Sequence, residues 1–254
     1  MNRLLVCLLA LCALVFLGGA RDPILVPEVS QHQINLQQGF NGTDLLLFGA
    51  VLTPEGSRAA QDYDIVVVLK GPTQSVVLRE KQKVAGIWVN AASTELRSAP
   101  SYYAVASTRP IADIVDEKTA AIYELGLQWL QLSPIGAIDP EEQARFSAGL
   151  VARNVDAGLY REDEGGVSVS EQVLYQARIR LPSQVPIGRY TAETFAISEG
   201  RVVASASSEV EVRKLGIERA IADFSQNWGF AYGLLAVFVS VGMGWLAGRL
   251  FALV

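Results

Sequence analysis

Apolar and polar residues alternate with a period of two through most of the chain, which is typical of half-buried β-strands. In HQINLQ, His32, Ile34 and Leu36 fall on one face, which places His32 at a rim or partly buried. YDIVVVLKGP is instead a continuous apolar run closed by a Gly-Pro pair, which predicts a strand buried on both faces. We predict a mainly β fold for residues 21–213, an antiparallel β-sandwich of immunoglobulin-like style. Two small sandwiches would also fit, and the strand order stays open.

The segment SVVLREKQKVAGIWVN, which follows, predicts two strands separated by a charged bend. At about residues 110–158 the period then changes to that of a helix. Apolar residues from Ile111 to Trp129 form one helical face. A second helix should begin at Asp139 as N-cap, with Pro140 in its first turn. We predict a helical pair that is inserted among the strands and caps one end or edge of the sandwich.

The most apolar run of the chain lies near its C-terminus, where no charged residue occurs from Trp228 to Gly248. As a helix, this run would be about 30 Å long, enough to cross the hydrocarbon layer of a bilayer. Aromatic residues lie near both of its ends, as at membrane interfaces. We predict a transmembrane helix over 228–250, preceded by a juxtamembrane stalk over 214–227 and followed by a short cytoplasmic end, 251–254.

Small residues line one side of this predicted helix at intervals of four or seven. Such spacing lets two helix backbones approach closely in lipid. We predict that the face packs against another membrane protein or a second copy of the chain, and the pattern leaves both partners open. Its members are Gly229, Gly233, Ser240, Gly244 and Gly248.

The N-terminal segment has the pattern of a secretory signal peptide. Residues 1–20 contain one Arg, then an apolar run, then small residues before Arg21. The alternative is an uncleaved anchor, but the apolar run is shorter than the roughly 20 residues that a spanning helix needs. We expect cleavage before Arg21 and export of the following domain. Because the two cysteines, Cys7 and Cys12, lie inside this segment, the mature domain should have no disulfide.

Charge and residue types limit the chemistry that the chain offers. The formal net charge is −5 and no basic stripe is present, which argues against nucleic acid and against an anionic lipid surface as the main partner. His32 is the sole histidine, so neither a nucleophilic triad nor a typical zinc site can be assembled from the sequence. No phosphate-binding glycine motif occurs. We predict that the protein is not an enzyme and that it has no cofactor and no metal site.

Three aromatic residues are candidates for a surface contact patch. Trp88 lies in an alternating segment, and Tyr102 and Tyr103 lie on opposite faces of a strand, so at least one of the pair could be exposed. Core packing is the default for such residues. If they are exposed, they indicate a protein-contact site.

Five segments of the sequence resemble motifs of the Alph_Pro_TM family, a transmembrane protein family of alphaproteobacteria. They are GFNGTDLLLFGA, GIWVN, PSYYAVASTRP, PIGRYTAETFAISEG and GWLAGRLF. The resemblance runs from about Val29 to Phe251. It implies a single-pass protein of the inner membrane of a Gram-negative bacterium, with its N-terminal domain in the periplasm. It implies no activity and supplies no catalytic residue.

The sequence favours a membrane-tethered periplasmic accessory or assembly protein that acts through protein contacts, for example with a membrane transporter. The alternative is a periplasmic module that senses a solute or an ion, which would need a pocket, expected between the sandwich and the helical insert. The least favoured hypothesis is an exported hydrolase that uses an unrecognised pair of acidic residues.

Overall fold

A computed structural model describes residues 23–36, 40–52, 63–136, 138–214, 221 and 224–251. These residues form twelve strands: β1 (Ile24–Val29), β2 (Gln33–Leu36), β3 (Thr43–Leu52), β4 (Asp64–Lys70), β5 (Thr73–Val84), β6 (Ile87–Pro100), β7 (Tyr103–Ser107), β8 (Tyr160–Glu164), β9 (Val167–Ser170), β10 (Leu174–Leu181), β11 (Gly188–Ser198) and β12 (Arg201–Lys214). The helices are α1 (Ile111–Ile114), α2 (Glu117–Tyr123), a 3₁₀ turn (Leu127–Trp129), α3 (Pro140–Asp156) and α4 (Gly229–Phe251).

Two sheets face each other as a sandwich. One sheet has the strand order β1-β3-β10-β9 and is antiparallel throughout. The other has the order β2-β12-β11-β4-β7-β8. The prediction of a mainly β fold with packed sheets and one C-terminal apolar helix is confirmed.

Two pairings differ from the antiparallel prediction, since β2 pairs with β12 and β7 with β8 in parallel. Parallel neighbours need long connections. Strand β8 is reached only after the helical segment, and β2 and β12 are far apart in the chain.

A single apolar core fills the space between the two sheets. It takes side chains from the inner faces of both, together with partly buried residues at its margin. Packing of this kind supplies most of the stabilisation of a sandwich, since each fully buried aliphatic side chain contributes about 1.5–3 kcal/mol. Its largest members are Ile34, Leu45, Leu47, Ile65, Leu69, Tyr102, Tyr175, Ile179, Leu181 and Tyr190.

Strand β4 is buried on both faces, as its continuous apolar run predicts. Val66 and Val68 belong to a second apolar core on the outer face of the six-stranded sheet. Helices α1 and α2 cover this face with Ile111, Ile114 and Ala120. Helices α1 and α2 therefore pack on a sheet face rather than on an end or edge, because that face is apolar and must be covered.

Helix α3 begins where the sequence predicts. The Asp139 carboxylate accepts a hydrogen bond of 2.9 Å from the Glu141 backbone N–H, and Pro140 occupies the first turn. Leu150 of α3 joins Leu96 and Leu132 in a third, smaller core. This core ties α3 to the base of the β5–β6 hairpin.

The side chains of helix α4 that the structure describes, from Gly229 to Arg249, contribute to none of the three cores. Its stretch Gly229–Arg249 is long and apolar enough to cross a membrane, by length and composition. Phe224 and Tyr232 make an edge-on ring contact across its start. The predicted signal peptide, residues 215–220, 222 and 223 of the predicted stalk, and residues 252–254 lie outside the described residues.

Candidate interaction surfaces

The β5–β6 hairpin is a two-stranded ribbon that continues two central strands of the six-stranded sheet. Lys70 of β4 pairs with Tyr103 of β7, and three residues further on Thr73 of β5 pairs with Pro100 of β6. Backbone hydrogen bonds bridge the junction, for example from the Gly71 N–H to the Tyr102 carbonyl at 2.8 Å. Hydrogen bonds therefore continue from the six-stranded sheet into the ribbon, which itself forms a separate two-stranded sheet.

The ribbon turns at Ala85 and Gly86, whose φ angles of 50° and 87° fit a two-residue type I′ turn. The charged residues that the sequence assigned to a bend are therefore part of strand β5. A charged run is compatible with a strand here because neither face of the distal ribbon is covered. Near the turn, Ile87 and Trp88 are 69% and 66% exposed.

The prediction of an exposed aromatic patch is wrong for two of its three residues. Tyr102 and Tyr103 are both fully buried, whereas Trp88 is exposed. The two tyrosines do face opposite sides of the sheet, but the second sheet covers one side and the helical insert the other. Their hydroxyls donate hydrogen bonds to the carbonyl oxygens of Arg180 (2.9 Å) and Glu124 (2.6 Å), respectively. Burial raises the pKa of both hydroxyls well above the usual value for tyrosine.

An exposed apolar patch lies on the outer face of the four-stranded sheet. Its residues are neighbours across strands, since Val26 and Leu174 both pair with Ala50, and Phe48 lies two residues away on β3. This surface was not predicted from the sequence, although the uninterrupted run Leu45–Phe48 puts apolar residues on both faces of β3. We call it the Phe48 patch, and its exposed members are Ile24, Val26, Phe48 and Leu174.

A groove of about 900 Å³ lies beside α2, where the helix meets the outer face of the six-stranded sheet. The Lys70 ammonium lies on one side of it, 2.7 Å from the Glu124 carboxylate and 3.2 Å from the Glu193 carboxylate. Burial opposes the charged form of Lys70, but the two carboxylates outweigh it and raise the pKa of the ammonium group. The groove is therefore polar at one side, while Phe195 and Ile122 supply apolar wall.

The small-residue face of α4 is uncovered. Among the described residues, a methyl group added at any of its glycines would meet no atom within 4 Å other than the nearby backbone of α4 itself. The Ser240 hydroxyl donates to the Ala236 carbonyl at 2.8 Å, so it is satisfied within the helix. The predicted packing partner of this face stays a prediction.

The sole histidine lies at the surface. The His32 Nε2 atom is 3.1 Å from a Glu28 carboxylate oxygen, and both side chains are more than half exposed. Within the described ranges, no group of three or more His, Cys, Asp or Glu side chains is placed to hold a metal ion.

The family model Alph_Pro_TM, of a transmembrane protein, matches residues 24–252, which include both sheets, the helical insert and all of α4. The resemblance seen in the sequence is thereby confirmed. None of the curated proteins compared with the chain matches it. The match and the apolar helix α4 together indicate a membrane protein. The chain therefore belongs to the transmembrane protein family Alph_Pro_TM.

Proposed function

We propose that this protein is a membrane-tethered accessory or assembly protein, not an enzyme, and that it acts by binding another membrane protein. The observation that carries the proposal is the Phe48 patch. A contiguous apolar surface on one sheet face is costly to leave in water, and on soluble domains such patches commonly mark protein contacts. Phe48 supplies the aromatic anchor that protein interfaces favour.

The tether supports the same function. Since the described side chains of α4 belong to none of the apolar cores, the domain has its own packing and α4 is free to contact lipid or another helix. Its small-residue face, from Gly229 to Gly248, would let a partner helix approach closely. The partner would then meet this protein both inside the bilayer and at the Phe48 patch.

We place the protein in the bacterial inner membrane, with the β-domain in the periplasm. The signal-peptide pattern of residues 1–20 supports export of the domain, and Arg249 at the far end of α4 agrees with the excess of basic residues on the cytoplasmic side. Ser207 is exposed on β12. In spheroplasts, a Ser207→Cys variant should react with a maleimide that does not cross membranes. Labelling only after lysis would reverse the orientation.

Co-purification in mild detergent tests the proposed function. The tagged full-length protein is compared with Phe48→Glu and with a triple variant in which Gly233, Gly244 and Gly248 become Leu. We expect one membrane protein to be recovered with the native chain. Each variant should lower the amount of this partner at least about tenfold, since a charged or bulky side chain at the centre of an interface weakens the binding free energy by more than about 1.4 kcal/mol. The partner is identified by mass spectrometry.

Ser207→Glu is the matched control, because it adds the same charge to an exposed strand position on the other sheet. It should leave the recovered partner unchanged. Recovery of the protein alone, in one oligomeric state for all variants, would contradict the proposal.

A periplasmic sensor of a solute or an ion is the second candidate, and the groove beside α2 is the observation that favours it. The groove lies between the sandwich and the helical insert, and Lys70, Glu124 and Glu193 offer it charged groups of both signs. A ligand could exchange for one of these internal ion pairs. The co-purification outcome separates the two candidates, since a sensor that works alone should be recovered without a partner.

A further inference from the structure

We propose that the tip of the β5–β6 ribbon docks on the surface of the same bilayer that α4 crosses. The occupant of this surface is thus the lipid head-group region, not a second protein. The proposal concerns a different surface from the Phe48 patch, and it is independent of the accessory function.

Strand direction brings the ribbon and the membrane helix to the same end of the domain. Strands β4 and β12 are both antiparallel to β11, so they run in the same direction. β4 continues into the ribbon at Gly71, and β12 continues at Lys214 toward α4. The ribbon and the connection to the bilayer therefore leave the six-stranded sheet at one end.

The reach of the ribbon matches the available distance. Strand β5 has 12 residues, which corresponds to about 40 Å at the rise of a β-strand. The connection to α4 covers residues 215–228, of which 224–227 are helical. It can separate the sheet from α4 by about 21 Å if it is wholly helical, and by no more than about 40 Å if all its other residues are extended. The turn of the ribbon can thus meet the membrane surface.

The distal ribbon has one apolar face and one basic face. Residues that pair across the ribbon share a face, so Val84 lies beside Ile87 and Lys83 beside Trp88. Val89 extends the apolar face, and its exposure, like that of Val84 and Ile87, leaves the face open to solvent. This face is the continuation of the one that α3 covers near the base, since Val76 and Leu78 lie on it.

The basic face fits lipid head groups in charge and in residue type. From Lys81 to Ala92 the ribbon has two lysines and no carboxylate, although the whole chain is acidic. Lysine stems can lie along apolar surface while their ammonium groups reach lipid phosphates. Tryptophan, here Trp88, is enriched at the membrane–water interface because its ring is apolar and its N–H is polar. A ribbon surrounded by water would gain no stability from placing lysines and a tryptophan beside an exposed apolar face.

Spin-label accessibility on the full-length chain in lipid nanodiscs tests the docking. The background is Cys7→Ser/Cys12→Ser, the label is attached at Ile87→Cys, and the control label is at Ser207→Cys. With one copy per disc of phosphatidylcholine and phosphatidylglycerol, we expect the label at 87 to collide with oxygen more often, and with a water-soluble nickel chelate several-fold less often, than the label at 207.

A second variant tests the charge. Lys81→Gln/Lys83→Gln should lower the ratio of docked to free ribbon on the order of tenfold in discs with phosphatidylglycerol, because each lysine near an anionic surface strengthens binding severalfold. In discs of phosphatidylcholine alone it should have little effect. Equal nickel accessibility at 87 and 207 in single-copy discs would overturn the proposal. Protection that appears only with two copies per disc, or only in native membranes, would also overturn it and assign the tip to a protein contact.

Discussion

Replacing Gly49 with alanine should destabilise the β-domain by at least about 3 kcal/mol, at the upper end of the usual effect of overpacking. Gly49 lies in the middle of β3, between β1 and β10. A Cβ atom at this position would lie 2.2 Å from the Val26 carbonyl oxygen and 2.6 Å from the Tyr175 hydroxyl oxygen. The first contact is with backbone, so a side chain cannot simply rotate away. Strand β1 would have to move away from β3, and the Tyr175 side chain would have to shift as well.

The matched control is Gly149→Ala in the middle of α3, where an added methyl group meets nothing within 4 Å. Here the substitution should stabilise the domain by about 0.5–1 kcal/mol, because alanine loses less backbone entropy than glycine in a helix. Urea denaturation of the full-length protein in mild detergent, followed by far-ultraviolet circular dichroism, measures both changes. A Gly49→Ala midpoint equal to that of the native protein would show that β1 does not lie where the structure places it.

Local chemistry explains why part of the fold could be predicted from sequence. Strand β4 was identified because five consecutive apolar residues can be satisfied only by burial on both faces. The start of α3 was identified because Asp139 and Pro140 act within the first turn of their own helix. These signals need no knowledge of the partner elements.

The candidate surfaces depend on contacts between distant segments, which periodicity does not reveal. The alternation around Tyr102 and Tyr103 gives their opposite directions, but only the fold shows that both directions are covered. The same limit applies to the ribbon. Its sequence predicts two ordinary strands, and only the pairing of β5 with β6 beyond the ends of β4 and β7 shows that they project from the sheet. The Phe48 patch is different, since an apolar run such as Leu45–Phe48 does predict two apolar faces. The run does not indicate which of the two faces the second sheet leaves uncovered.

Tyr103→Phe should lower the free energy of unfolding by about 2–3 kcal/mol, because two backbone groups lose their partner at once. The Tyr103 hydroxyl donates to the Glu124 carbonyl at 2.6 Å and accepts a hydrogen bond from the Gly126 N–H at 3.0 Å. It thereby fixes the turn after α2, in which Glu124 adopts a left-handed conformation with φ of 52°. The same turn presents the Glu124 carboxylate to Lys70.

Tyr102→Phe is the matched control, since it removes the same atom from the neighbouring residue on the opposite face of the sheet. Among the described residues, the Tyr102 hydroxyl has one hydrogen-bond partner, the Arg180 carbonyl, so its loss should cost only about 1 kcal/mol. Because burial raises the pKa of both tyrosines, both hydroxyls stay protonated at neutral pH and the difference should not change as the pH is raised moderately above it. Urea denaturation measures the stabilities, and amide hydrogen exchange should show faster opening at Gly126 in Tyr103→Phe alone. Equal losses in the two variants, with no change in exchange at Gly126, would mean that the turn is held by packing and not by this hydroxyl.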